Sequence, residues 1–268
     1  MGGTAVAVPS GRVAGVAFSV VGEGLPVTVF THGLGGSSAE TRPLASRVVG
    51  TRVLLDLRGH GASDALEDGW DYDMLADDLL GVADATGATR AVGLSVGSGA
   101  LLRALWRDPA RFERLVMVMP AALDEARDDG ATASIALPNR RIDARDADAV
   151  TDMLLAELPE AVRARRGVRL LLGRRAASLV TRPAPRPRVP DRPVHDRAVL
   201  AAVTAPALVL AQEDDPLHAL ELAVELAAAL PHASLLALPP GGVFWTAGAR
   251  AAGAIADHLS DPTDEDLP

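Results

Sequence analysis

One serine in the sequence has the neighbours that a catalytic nucleophile needs. Ser95 lies between Gly93 and Gly97, directly after the apolar run of residues 90–94 and directly before a helical pattern of leucines. A strand that turns this sharply into a helix strains the backbone of the residue at the corner, so small residues are needed two positions before and after it. We therefore expect the Ser95 hydroxyl to be exposed at the carboxyl edge of a sheet, available as a nucleophile.

The elements that would position this serine alternate between strands and helices. Apolar runs predict strands at Pro26–Thr31, Arg52–Leu57, Thr89–Leu94, Leu115–Met119, Ala207–Ala211 and Ser234–Leu238. Helical periodicity predicts helices at Glu40–Val48, Tyr72–Ala85, Leu217–Leu230 and Thr246–Leu259. Because each strand is apolar nearly throughout, we expect a mostly parallel sheet with helices on both faces. Two further strands, Thr4–Val8 and Val13–Val21, joined by a hairpin turn at Ser10-Gly11, would bring the sheet to eight strands with an antiparallel edge.

A segment of different character interrupts this alternation. Residues 121–195 begin with a polar, irregular stretch, continue with helical patterns at Asp146–Leu158 and Val162–Val180, and end in a connector rich in proline and arginine. We interpret this segment as a helical lid inserted into one α/β core, which comprises residues 1–120 and 196–268.

Charge and composition restrict the classes of partner. The chain has 268 residues, a net charge of −9 and 26 basic residues, all of them arginine. This acidic excess argues against a nucleic-acid-binding protein, although arginines concentrate between residues 163 and 192, where Asp191 is the only acid. These arginines are either a solvated helix surface or a site that captures an anionic group, such as a carboxylate or a carrier-bound acyl thioester.

Residue types and segments that the sequence lacks exclude several kinds of site. The chain contains no cysteine, which excludes disulfides, thiol catalysis and thiolate metal sites. No apolar run approaches the length of a membrane span, and no basic residue precedes Arg12, as a secretory signal would require. We therefore expect a cytoplasmic protein without a membrane partner, a metal or another cofactor. The oligomeric state stays open.

The sequence resembles the α/β-hydrolase superfamily over nearly its whole length. Five landmarks occur in the order that this superfamily shows: His32-Gly33, the loop from Asp56 to Ser63, the turn from Gly93 to Gly97, the acids from Glu213 to Asp215, and Leu230-Pro231 before a short strand. The turn around Ser95 is similar to the nucleophile elbow of the superfamily. The resemblance implies an α/β-hydrolase fold with an inserted helical cap.

The resemblance also implies roles for individual residues. Ser95 would be the nucleophile. Asp215, which precedes a proline, would be the acid that orients an imidazole, and Asp214 would be a solvated neighbour. The backbone N–H groups of Leu34 and Val96 would form the oxyanion hole, the pair of donors that stabilises a tetrahedral intermediate.

The histidine that the superfamily carries after its last strand is missing here. Val243 stands at that position, and valine can neither accept a proton nor hydrogen-bond a carboxylate. His218, three residues beyond Asp215 and near a predicted helix start, could serve as the base instead, or it could be a polar contact to the lid. Val243, His32 and Trp245 are expected to line the pocket.

Three hypotheses about function follow from the absence of a histidine at position 243. The leading one is an enzyme that hydrolyses a small ester, lactone or thioester through Ser95 with a non-standard or incomplete triad. The second keeps the pocket but replaces hydrolysis with a cyclisation, elimination or isomerisation in a biosynthetic pathway. For both, the expected partner is a small molecule, either anionic or bound to a carrier. The third is an inactive pseudohydrolase that binds a ligand or a partner protein through the lid.

Overall fold

The structure, a computed structural model, describes residues 10–125, 140–156, 158–181, 191–215 and 217–260. The strand predicted at Thr4–Val8 lies outside these ranges, as does most of the connector rich in proline and arginine.

A single mixed sheet forms the centre of the molecule. Its strands are β1 (Gly11–Val13), β2 (Val16–Val21), β3 (Val27–Thr31), β4 (Thr51–Leu55), β5 (Arg90–Leu94), β6 (Arg114–Val118), β7 (Ala207–Gln212) and β8 (Ala233–Leu238). They lie in the order β1-β2-β4-β3-β5-β6-β7-β8. β2 pairs antiparallel with β1 and β4, whereas β3 to β8 run parallel to one another. The predicted mostly parallel sheet of eight strands is confirmed.

The antiparallel edge differs from the prediction in the position of its turn. Val13 pairs with Val16, so the two residues between them connect β1 to β2. Both of these residues, Ala14 and Gly15, have positive φ angles, 46° and 86°. Two-residue hairpins favour such turns because their twist matches that of the strands. The turn predicted at Ser10-Gly11 is wrong, since β1 already begins at its glycine.

Helices cover both faces of the sheet. The helical elements are α1 (Ser38–Thr41), α2 (Tyr72–Thr86), α3 (Val96–Arg107), α4 (Ala147–Ala156), α5 (Glu160–Arg163), α6 (Val168–Thr181), a 3-10 helix (Arg197–Ala202), α7 (Leu220–Ala229), a π-helical turn (Gly242–Thr246) and α8 (Gly248–Leu259). α2, α3 and α7 bury one face, whereas α8 and the turns after α1 bury the other. Along β6, Leu115 and Met117 enter the first core, and Val116 and Val118 enter the second.

Proline and glycine shorten two of the predicted helices. α1 ends at Thr41 and the chain continues as turns, because Pro43 has no N–H to extend the helical hydrogen bonds. The helix predicted at Val162–Val180 is divided into α5 and α6 around Gly167, whose φ is 89°. Gly87 ends α2 in the same left-handed conformation, close to where the sequence places the end of that helix.

The described part of the predicted lid contains α4, α5 and α6. α4 packs against α6 around a small apolar cluster. A second cluster includes Val162 and Leu172 and reaches Trp245 in the π-helical turn, so the lid helices contact the core there. The bounds predicted for the lid, residues 121–195, stay a prediction.

Candidate active site

Ser95 lies at a strained corner between β5 and α3, as the glycine spacing predicts. Its φ is 52° and its ψ is −113°, a backbone conformation that residues other than glycine rarely adopt. A β-carbon on Gly93 would lie 2.5 Å from the carbonyl oxygen of Gly97, and one on Gly97 would lie 2.6 Å from Thr31 Oγ1. Neither position has room for a side chain, so both glycines are needed to hold this turn.

The Ser95 hydroxyl is the first member of a chain of two hydrogen bonds. Ser95 Oγ lies 2.9 Å from Nε2 of His218, and Nδ1 of the same imidazole lies 2.9 Å from Oδ2 of Asp215. The two partner side chains are largely buried, with 13% and 11% of their surfaces exposed. The structure therefore brings together the three side chains that the sequence nominates as nucleophile, base and acid.

Electrostatics determine which imidazole nitrogen carries the proton. Burial alone would raise the pKa of Asp215, but the hydrogen bond and the charge of His218, with two backbone N–H groups, lower it below the ordinary aspartate value. An ionised carboxylate can only accept hydrogen bonds, so Nδ1 must be the protonated nitrogen. In the neutral form of the ring, Nε2 then has a free lone pair directed at the hydroxyl of Ser95, the arrangement that a general base requires.

Asp215 and His218 lie on one short loop between β7 and α7. Oδ1 of Asp215 accepts hydrogen bonds from the N–H groups of Leu217 and His218, at 2.9 and 3.2 Å. This local turn fixes the imidazole relative to the carboxylate through the loop itself. The helix predicted to begin at Leu217 begins at Leu220, so His218 lies in the loop and not in the first helical turn. Asp214, with a φ of 53°, is exposed beside the pair.

Val243 and Trp245 lie on the π-helical turn after β8. Val243 is 1% exposed and belongs to the same buried apolar cluster as Leu238 and Ile255 of α8. Trp245 is half-buried against the lid cluster, and its carbonyl oxygen accepts a hydrogen bond from Arg165. The turn that would carry the usual histidine thus serves packing on one side and contact with the lid on the other.

Two buried histidines fix the loop that follows β3. Leu57 donates its N–H to Nε2 of His32 at 3.0 Å, so Nδ1 carries the proton and donates to the carbonyl oxygen of Gly33 at 2.7 Å. Burial lowers the pKa of His32, which keeps the ring neutral. His60 accepts a hydrogen bond from the N–H of Gly35 at 3.0 Å. His32, predicted to line the pocket, is fully buried and holds this loop in place.

The predicted oxyanion donors lie on the two segments that flank Ser95. A β-carbon on Gly33 would lie 3.4 Å from Cβ of Ser95, so the loop carrying Leu34 approaches the serine closely. Val96 is the first residue of α3, where helical N–H groups have no partner within the helix. Within the described ranges, neither amide donates a hydrogen bond to the protein. An oxyanion donor must have its N–H unpaired in this way.

A charged pair that the sequence did not nominate lies beside this loop. Arg175 Nη1 on α6 lies 2.5 Å from Oε1 of Glu40 on α1. A β-carbon on Gly33 would lie 3.7 Å from the other carboxylate oxygen, Oε2. The pair therefore connects the predicted lid to the immediate surroundings of Ser95.

Metal and membrane sites have no support in the described ranges. Among those residues, no group of three or more histidine, aspartate or glutamate side chains could hold a metal ion. No helix there is long and apolar enough to cross a membrane.

Comparisons with known sequences agree with this architecture. The model of a family described as "Alpha/beta hydrolase family" matches residues 28–257. A stretch of 77 residues is 38% identical to a 2-(acetamidomethylene)succinate hydrolase from Mesorhizobium japonicum. That match covers 27% of this chain and 28% of the relative, so it spans little more than a quarter of either protein.

Solved structures of similar proteins match over almost the whole chain. The enol-lactonase from Burkholderia xenovorans LB400 superposes with a TM-score of 0.74 at 20% identity, covering 94% of this chain and all of that one. A thermophilic esterase from Thermogutta terrifontis gives a TM-score of 0.69 at 19% identity, covering 96% of this chain and 98% of that one. At such identities the likeness shows a shared fold and does not show a shared activity.

Proposed function

This chain belongs to the alpha/beta hydrolase family, and on that premise we propose that it is a serine hydrolase of a small ester, lactone or thioester. The observation that carries the proposal is the relay from Ser95 through His218 to Asp215, with 2.9 Å at each step. The distinctive part of the proposal is the base, which lies in the same loop as the acid and not after the last strand.

In the proposed reaction, His218 takes the proton of the Ser95 hydroxyl while the serine oxygen attacks the carbonyl carbon of the substrate. The carbonyl oxygen becomes an oxyanion. When the C=O bond re-forms, the bond to the leaving alcohol or thiol breaks, and Nε2 gives its proton to that group. Water then attacks the acyl-enzyme with His218 again as base, which releases the acid and restores the free hydroxyl of Ser95.

Asp215 and the two backbone amides stabilise the charges that form along this path. The imidazolium that appears during attack lies 2.9 Å from an ionised carboxylate, which holds the ring and compensates its charge. The N–H groups of Leu34 and Val96 are proposed to bind the oxyanion. Removal of one such donor in enzymes of this type costs about 3–4 kcal/mol of transition-state stabilisation.

An imidazole beside Ser95 favours hydrolysis over the two alternatives that the sequence leaves open. A cyclase, lyase or isomerase and an inactive pseudohydrolase both follow from a missing imidazole. An imidazole nitrogen within hydrogen-bond reach of Ser95 Oγ supports a base at this site. The two alternatives are outcomes of the experiment below.

The proposed substrate class draws on the names of similar proteins. They include a hydrolase of a succinate derivative, an enol-lactonase and an esterase. Two of these names specify a lactone or an ester bond, whereas the acetamido group in the first name contains an amide bond. We therefore propose enol lactones and esters of small carboxylic acids as the first substrates to assay.

A fluorophosphonate probe tests the nucleophile. We expect the wild-type protein to be labelled and the modified peptide to contain Ser95, because the phosphonate reacts with a serine whose proton is removed by a base. Ser95→Ala should abolish both labelling and hydrolysis of p-nitrophenyl acetate. The matched control is Ser46→Ala, an exposed serine that should leave both unchanged.

Three results would contradict the proposal in different ways. Absence of labelling at Ser95, with no hydrolysis of esters or lactones, would favour a binding protein. Products without added water, together with activity that survives Ser95→Ala, would favour a cyclase or isomerase. Labelling of a serine other than Ser95 would place the active site elsewhere.

A further inference from the structure

Glu40 places a carboxylate next to the loop that is proposed to bind the oxyanion. A β-carbon on Gly33 would lie 3.4 Å from Ser95 Cβ and 3.7 Å from Glu40 Oε2. A β-carbon on Gly36 would lie 2.1 Å from the same oxygen, so the carboxylate fills the space that these glycines leave open. A negative charge therefore lies close to the position where the reaction must develop another one.

Among the described residues, the guanidinium of Arg175 forms the ion pair that compensates this carboxylate. Oε1 of Glu40 pairs with Arg175, whereas Oε2 is buried and, within the described ranges, has no hydrogen-bond partner. The Glu40 side chain is 16% exposed, so water screens it poorly. His32, which holds the same loop, is within the electrostatic range of both members of the pair, with opposite effects on its pKa.

An uncompensated carboxylate at this position would oppose the reaction. Because a β-carbon on Gly33 would lie 3.4 Å from Ser95 Cβ and 3.7 Å from Glu40 Oε2, these two atoms are at most the sum of the two distances apart. At an effective dielectric constant of about 20, two like charges about 7–10 Å apart repel enough to slow a reaction about 10- to 50-fold. With the guanidinium in place, the two charges largely cancel at the oxyanion. The guanidinium belongs to α6, so this cancellation is available only when that helix lies against the core.

We propose that Arg175 is a positioning residue that acts through Glu40: by neutralising this carboxylate it permits oxyanion formation, and it thereby couples catalysis to the docking of helix α6. The proposal rests on the serine hydrolase function proposed above. It assigns Arg175 no contact with the substrate. In a simple clamp, the ion pair would only hold α6 against the core; here the charge of Glu40 itself determines the rate of the reaction.

The test is a double-mutant cycle with neutral probes. Arg175→Ala should lower kcat for p-nitrophenyl acetate, and the rate of fluorophosphonate labelling, about 10- to 50-fold, since Glu40 is then uncompensated. Arg175→Ala combined with Glu40→Gln should recover most of the lost rate, and Glu40→Gln alone should be no slower than wild type. Arg175→Lys keeps the charge and should also retain the rate.

A control variant separates this effect from general damage to the lid. Arg169 on α6 forms an ion pair with Asp152 at 2.8 Å, in which both side chains are exposed. Arg169→Ala should therefore leave both rates unchanged. Thermal unfolding of every variant checks that each is folded at the assay temperature.

Two outcomes would overturn this inference while leaving the proposed function intact. If the double variant is as slow as Arg175→Ala, the pair is only a clamp. If Arg175→Ala is as fast as wild type, the charge of Glu40 does not reach the oxyanion. A wild-type protein that neither hydrolyses esters nor reacts with the probe would instead contradict the proposed function itself.

Discussion

At the scale of single residues, the geometry of the proposed relay depends on the turn between Asp215 and His218. Their spacing of three positions lets one carboxylate bind the loop backbone with Oδ1 and the imidazole with Oδ2. A relay assembled from two separate loops would depend on the packing of both. Here one local turn sets the distance between acid and base, and only the approach to Ser95 depends on the tertiary structure.

Asp215→Asn should lower kcat for ester hydrolysis about 10³- to 10⁴-fold, with a much smaller effect on KM. The asparagine amide can donate to Nδ1, which moves the imidazole proton to Nε2 and removes the lone pair that faces Ser95. Steady-state kinetics measures the loss. The neighbouring substitution Asp214→Asn, at an exposed position, should have no comparable effect, and equal losses in both variants would contradict the assigned roles.

The sequence could nominate these residues but could not choose between the two roles of His218. Helical periodicity begins the helix at Leu217, whereas the structure keeps residues 217–219 in a loop and lets the imidazole turn toward Ser95. Glu40 could not be found at all from its pattern, since an acidic residue in the first turn of a helix is ordinary. Only the approach of α6 shows that this carboxylate is buried and paired.

At the scale of secondary structure, the corner between β5 and α3 keeps the form usual in the superfamily, whereas the turn after β8 does not carry the usual histidine. The corner is held by glycines against backbone atoms and positions Ser95, the proposed nucleophile. The π-helical turn carries Val243 into the core and Trp245 to the lid. The glycine spacing predicts the corner, whereas nothing in the sequence distinguishes a π-helical turn from an ordinary loop.

Gly97→Ala should damage both stability and activity. Its β-carbon would lie 2.6–2.8 Å from oxygen atoms of Thr31 and His32, two of them backbone, so the corner must move. We expect a loss of about 1–3 kcal/mol in the free energy of unfolding, and about 100-fold in kcat because Ser95 is displaced. Chemical denaturation and ester hydrolysis measure the two effects.

Gly81→Ala is the matched control for this substitution. Gly81 lies within α2, and a β-carbon there meets only Val13 Cγ1 at 3.8 Å. It should leave kcat unchanged and stabilise the fold by about 0.5–1 kcal/mol, through the higher helix propensity of alanine. A Gly97→Ala protein with wild-type kcat would contradict the role given to the corner.

Val243→His should not create or increase activity, although it restores the residue type usual at this position. The imidazole would be buried in an apolar cluster, at a cost of about 1–3 kcal/mol in the free energy of unfolding. His218 already lies within hydrogen-bond distance of Ser95 Oγ. Kinetics of the purified variant tests this, and a clear rise in kcat would show that the wild-type base is incomplete.

At the scale of the whole molecule, a buried cluster of charges ties the segment before the 3-10 helix to α3. Arg103, with 1% of its side chain exposed, donates to the carbonyl oxygen of Arg192 at 2.6 Å and pairs with Asp191 at 3.2 Å. It also lies 2.8 Å from Nε2 of His195. The chain re-enters the core at this point, and α3 is the helix that begins at the nucleophile corner.

Arg103→Ala should destabilise the fold by about 3–5 kcal/mol, because it leaves buried acceptors and a carboxylate without their partner. Urea denaturation followed by circular dichroism measures this. The control is Arg107→Ala, one turn later on α3, where the side chain is 30% exposed and its guanidinium pairs with Asp73 and Asp77. It should cost at most about 1 kcal/mol, and equal costs for both variants would contradict the importance of burial.

The alternation of apolar strands and helices is enough to predict the parallel sheet. It fails where single residues redirect the chain, as at Ala14-Gly15, Pro43 and Gly167. The helices of the lid are visible in the sequence as well. Their contacts with the core are not visible, because Arg175 and Arg165 look in the sequence like the other arginines of the segment. Only the folded structure shows that Arg175 pairs with Glu40 and that Arg165 donates to the carbonyl oxygen of Trp245.

The most direct measurement of the central claim, that His218 is the base for Ser95, is chemical rescue of His218→Ala. This variant should hydrolyse p-nitrophenyl acetate at least about 10³-fold more slowly than wild type. Added imidazole should restore part of the rate, since it can fill the space left beside Asp215. If His218→Ala instead retains the wild-type kcat while Ser95→Ala has none, another group accepts the serine proton and the proposed relay is wrong.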